Sequence, residues 1–136
     1  MLQVGLVLEA FAYLVNVFTV PSNGKIFYTV YYMSIAIATA GLNSAKFNLI
    51  FDYIPSERRS NALAVSQSLA GVVGFVTTLV VSRLVAAIQA NGNSFFGLSV
   101  YAQQVCSLLA CLLTLVLWLY VTKVIVGKMK RLNRED

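Results

Sequence analysis

Four apolar stretches, about residues 2–20, 25–51, 61–88 and 100–126, occupy almost the whole chain, separated by short polar breaks. A helix needs roughly 20 consecutive apolar residues to cross about 30 Å of hydrocarbon, and each stretch is about that long or longer. Stretches 25–51 and 61–88 exceed it, so tilt or protrusion is expected. The 136 residues are 59% hydrophobic and only 11% charged, whereas a soluble domain carries about 25% charged residues to cover its core. Lipid must therefore be the solvent for much of the chain. No ten-residue alternation of apolar and polar residues marks the strands of a barrel. The expected fold is all-α, an integral membrane four-helix bundle that forms a single domain over residues 1–136. Met1–Val20 lacks a basic leading region and contains Glu9, so it reads as a mature span rather than a signal peptide.

The breaks carry turn chemistry. Pro21-Ser22-Asn23-Gly24 separates the first two spans, and Gln89-Ala90-Asn91-Gly92-Asn93-Ser94 separates the last two. Phe95 and Phe96 follow where aromatic anchors are common. The middle break, Asp52 to Ser60, holds Arg58 and Arg59. With Lys123 and the tail residues Lys128, Lys130, Arg131 and Arg134, seven basic residues fall on one side, against Lys25 and Arg83 on the other. Lys46 lies nearer the richer side. Positive charge is retained in the cytoplasm, which puts the middle loop, the basic tail 127–136 and, after four crossings, the N-terminus there. The expected location is the cell membrane, multi-pass, with both termini cytoplasmic.

Several function classes drop out. The net charge of +5 clusters at span ends, so it reports topology and not a nucleic-acid surface. The chain has no His, hence no Ser-His or Cys-His pairing, and no Gly-rich phosphate loop; an enzyme is not expected. Cys106 and Cys111 lie five residues apart on different faces of one apolar helix, where they cannot form a disulfide with each other; they read as packing residues. No metal site and no cofactor are expected.

The spans have faces. At 100° per residue, Tyr28, Tyr32, Thr39, Asn43 and Lys46 of the second span fall within about 60° of one another. Polar groups within lipid must face protein or water, so this stripe either lines a cavity or forms a polar packing seam. On the third span Ala64, Gln67, Gly71, Gly74, Thr78 and Ser82 fall within about 80°; small residues at this spacing let two backbones approach, and the face reads as helix packing. The first span aligns Gly5, Glu9, Ala12, Asn16 and Thr19; the fourth aligns Gln103, Ser107, Ala110 and Thr114, with Trp118 and Tyr120 near the cytoplasmic interface. Glu9 is the acid within the apolar spans. It is either a proton-coupling site or shallow enough to reach cytoplasmic water, and its depth of ~10 Å favours the second.

In the middle break, Pro55 closes an irregular stretch, Ser56 is placed to cap the next helix, and Glu57 suits its first turn. From Gly41 to Gly74 the chain reads GLNSAKFNLIFDYIPSERRSNALAVSQSLAGVVG. This resembles the cytoplasmic loop between the tenth and eleventh helices of the major facilitator superfamily. Asp52, Pro55, Arg58 or Arg59, Ala62, Gly71 and Gly74 match that pattern in order. The resemblance implies the C-terminal third of a twelve-helix transporter, helices nine to twelve. Its partners would be the parent's other helices and an unknown small solute, which moves by alternating access. Tyr28, Tyr32, Thr39 and Asn43 become substrate-cavity candidates, and Glu9 falls on a support helix. Two other readings stand beside it. One is a complete four-helix proton-coupled exporter that works as a dimer, similar to the small multidrug resistance family, with Glu9 as its essential acid. The other is a non-transporting membrane assembly protein whose small-residue seams are oligomer interfaces.

Overall fold

The computed structural model describes residues 1–95 and 98–126. Phe96 and the basic tail over 127–136 lie outside the described residues. The chain is all-α, with four helices: α1 Leu2–Val17, α2 Gly24–Tyr53, α3 Ser56–Ala90 and α4 Ala102–Tyr120, the last continued by a π-helical segment over Val121–Val126. Two-residue strands, β1 Ser94–Phe95 and β2 Leu98–Ser99, pair antiparallel between α3 and α4, with Ser94 opposite Ser99 and Phe95 opposite Leu98.

Three helical stretches, Gly24–Tyr53, Ser56–Ala90 and Ala102–Val124, are long and apolar enough to cross a membrane; Leu2–Val17 is a shorter apolar helix. Their large side chains face outward: Leu69, Val72, Val73, Phe75 and Val80 of α3 are each more than 60% exposed. Such a continuous apolar surface is untenable in water and points to a multi-pass membrane protein.

The helices end where backbone chemistry dictates, not where hydropathy changes. α1 stops at Val17, short of Val20. Asn23 holds the turn: the Val20 N–H donates to its Oδ1 at 2.8 Å, and its amide nitrogen donates to the Phe18 carbonyl at 3.1 Å. α3 starts at Ser56, well before the apolar stretch begins. Ser56 is its first helical residue, so Pro55, and not Ser56, occupies the N-cap position, without a side-chain bond. At the far end of α3 the Asn93 N–H donates to the Ile88 carbonyl at 3.0 Å and the Gly92 N–H to the Gln89 carbonyl at 3.1 Å. This paired closure needs a left-handed residue just past the helix, and Gly92 supplies it with φ 66°. α4 opens on a capping-box bond, the Tyr101 N–H donating to Oε1 of Gln104 at 3.0 Å.

The chain divides into two compact units, one of Met1–Leu42 with the stretch from Ser107 onward, the other of Asn43–Cys106. In the first, α1 lies against both α2 and α4. The faces of α1 and α4 that carry small and polar residues meet. The Asn16 amide donates to Ser107 Oγ at 2.7 Å, both side chains buried; Cys111 Sγ donates to the Ala10 carbonyl at 3.5 Å; and Gln3 Nε2 donates to Thr122 Oγ1 at 3.0 Å. Ala12 is fully buried. Gly5 lets α1 approach α2: a Cβ there would come within 2.8 Å of the Leu42 Cδ2 and 2.9 Å of its Cγ. In the second unit Ile88 and Ala45 are buried, while α3 is exposed along most of its length.

Gly5→Ala is expected to destabilise the chain in detergent by about 1–3 kcal/mol, the cost of overpacking a tight contact. Leu42→Ala in the same chain should recover part of the loss; purely additive melting shifts would contradict the contact.

Candidate functional site

The stripe of α2 maps to the surface of the chain: Tyr28 and Tyr32 are 51% and 62% exposed, and Thr39 and Asn43 are also exposed. Lys46 is half-buried. At the end of this stripe nearest the α1–α2 turn, the structure assembles a tyrosine cluster that includes two residues with no place in the stripe. Tyr13 of α1 meets Tyr31 of α2 with ring centroids 6.3 Å apart and a 41° tilt. Tyr31 meets Tyr28 at 5.8 Å and 48°, and Tyr28 stacks on Tyr32 at 6.4 Å and 25°. These spacings lie within the 4.5–7 Å range of favourable aromatic pairs.

Glu9 completes the group. It lies one helical turn before Tyr13 on α1 and is half-buried. The arrangement is thus one carboxylate at the inner end of a run of four tyrosine rings.

The second feature is the corner between α2 and α3, where Asp52 and Arg58 are exposed and Arg59 is partly buried. In a continuing helix the Phe51 carbonyl would accept from the N–H of residue 55, but Pro55 has none. The Arg59 guanidinium takes that place: Nη2 donates to the Phe51 carbonyl at 2.8 Å and Nε to the Ile54 carbonyl at 2.9 Å. Its carbon also lies 4.9 Å from the Phe51 ring centroid, a cation–π distance. A cation at a helix C-terminus is favoured by the dipole as well. Arg58 has a different environment. It lines an open groove of about 790 Å³ with Ile54, Asn61, Val65, Ser66 and Leu69. Of the two arginines that match the loop pattern, Arg59 holds the corner.

The small-residue face of α3 is uncovered among the described residues. Gly71, Gly74, Thr78 and Ser82 are all exposed, and a Cβ on either glycine would meet nothing within 4 Å. Thr78 and Ser82 donate to their own helix, at the Gly74 and Leu79 carbonyls. Among the described residues, no group of three or more His, Cys, Asp or Glu side chains could hold a metal ion.

Comparison with known proteins gives no match: no family model, no curated protein and no solved structure.

Arg59→Ala leaves two carbonyls without a donor and is expected to cost about 1–2 kcal/mol, read as a lower melting temperature in detergent. Arg58→Ala should leave that temperature unchanged. Equal effects of the two substitutions would contradict the assignment of Arg59 to the corner.

Proposed function

We propose that this chain forms helices nine to twelve of a major facilitator transporter. It would contribute one wall of a solute path that opens alternately to the two sides of the membrane. The observation that carries this reading is the exposed polar stripe of α2, Tyr28, Tyr32, Thr39 and Asn43, on a helix long and apolar enough to span the bilayer. Polar groups at that depth need water, solute or protein opposite them, and a solute path provides it. The loop pattern Asp52, Pro55, Arg58 and Arg59 adds support, with Arg59 giving the corner a fixed geometry. The bare face of α3, centred on Gly71 and Gly74, is where a further helix of the parent would pack. On this reading α1 also crosses the membrane, both termini are cytoplasmic, and transport proceeds without covalent chemistry.

A second reading, the dimeric four-helix exporter, draws on the placement of Glu9 beside Tyr13 within an apolar helix. An antibody against residues 128–136, used to blot native membranes, separates the two. A band on the order of three times the mass of this chain is expected for the twelve-helix parent. A band at the chain's own mass would overturn the first reading in favour of the second.

A further inference from the structure

We infer that the groove beside Arg58 is a binding site for an anionic phospholipid, with the phosphate on Arg58 and one acyl chain laid along α3 into the bilayer. This goes beyond the transport reading and needs only that α3 crosses the membrane.

The groove lies within the unit Asn43–Cys106 and runs along α3 from its first turn. Its two ends differ in chemistry. At the mouth, beside the α2–α3 corner, stand Arg58 and Asn61; deeper in, Val65 and Leu69 form the wall, with Ser66 beside them. From Arg58 to Leu69 the helix rises ~16 Å, about half of the ~30 Å hydrocarbon core and so about the depth of one leaflet. A phospholipid presents the same order of groups over the same length: a charged head, a polar linkage, then hydrocarbon.

The corner assigns the two arginines to different tasks. Arg59 is held by the Phe51 and Ile54 carbonyls, whereas Arg58 is exposed at the mouth of the groove. A guanidinium fork matches a phosphate with two parallel hydrogen bonds. The charge balance along the sequence puts this corner on the cytoplasmic side, where anionic lipids are concentrated. Glu57 precedes Arg58 by one residue and is therefore turned 100° from it, off the groove.

The rest of this side of α3 makes lipid, and not a further helix, the occupant. Val65, Leu69, Val72 and Val76 fall within about 60° of one another, on the side that carries Arg58. Each is more than 50% exposed. Gly71, Gly74, Thr78 and Ser82 lie roughly 150° round the helix. Close packing of two helices uses small residues, so a packed helix belongs on that far face. The bulky branched face is left to acyl chains.

The test uses the full 136-residue chain in detergent, titrated with palmitoyl-oleoyl phosphatidylglycerol or with phosphatidylcholine of the same acyl chains and read by native mass spectrometry. Phosphatidylglycerol should bind saturably and at least fivefold more tightly than phosphatidylcholine. Arg58→Ala should weaken it about fivefold, the worth of one basic residue near an anionic headgroup, and Arg58→Lys, which keeps the charge, should retain most of the affinity. Leu69→Trp, which fills the groove, should weaken both lipids, whereas Gly74→Leu on the far face should weaken neither. Glycerol phosphate, which has the charge without the chains, should not compete. Equal affinity for the two lipids, phosphatidylglycerol binding unchanged in Arg58→Ala, or full competition by glycerol phosphate would overturn the site. None of these results depends on the size of a parent protein, so the native blot and the lipid titration fail separately.

Discussion

The structure depends on one constraint, that a backbone carbonyl or N–H in or near hydrocarbon must find a partner within the protein. Within the helices the constraint is met automatically. At the breaks it must be met by particular residues. Asn23 bonds on both sides of the first turn. Arg59 replaces the donor that Pro55 lacks. Gly92 takes the left-handed conformation that lets α3 close on itself, and Gln104 accepts from the Tyr101 N–H just before α4. Each of these residues is polar or conformationally special, and each lies at a place where the helical ladder runs out.

Polar groups inside the chain are handled in two ways. Where α1 meets α4, Asn16 and Ser107 satisfy each other in a buried pair, and the small residues Gly5 and Ala12 bring α1 close to its neighbours. Interhelical bonds of this kind average about 0.6 kcal/mol in membranes, so packing carries most of the adhesion and the polar pair fixes the register. Along α2 and α3 the stripe and small-face residues have no such interhelical counterpart among the described residues. Tyr32, Asn43, Gly71 and Gly74 are exposed on helices whose remaining surface suits lipid. That contrast supports the assignment of the α2 stripe to a solute path and the α3 face to a further helix.

Much of this was legible in the sequence, and the rest was hidden for physical reasons. The apolar runs gave the helices, because hydropathy reports where lipid must be. The same signal could not give the helix ends. α3 extends through Ser56 to Ser60, since a helix needs a closed hydrogen-bond ladder and not an apolar composition. The aligned small faces of the first and fourth spans contain Asn16 and Ser107, which the fold brings together. The stripe on α2 contained Tyr28 and Tyr32 but passed over Tyr31, because Tyr31 joins the cluster through Tyr13 of another helix. Periodicity in one helix does not encode which faces of two helices meet. A signal was present all the same: a tyrosine deep in an apolar helix usually has a partner for its hydroxyl or ring. The choice between Arg58 and Arg59 was open in the loop pattern, yet Pro55 four residues after Phe51 already marked a carbonyl in need of a donor.

The central claim is that α2 and α3 each cross the membrane and that the Arg59 corner between them lies on the opposite side from the α1–α2 turn. Labelling with a membrane-impermeant maleimide tests it most directly. The measurement uses single cysteines at Ser22, Ser60 and Asn91 in a chain whose own two cysteines are replaced, in sealed right-side-out vesicles. The account predicts that Ser22→Cys and Asn91→Cys label in intact vesicles and that Ser60→Cys labels only after permeabilisation. Labelling of all three from the outside, or of none of them before permeabilisation, would contradict it.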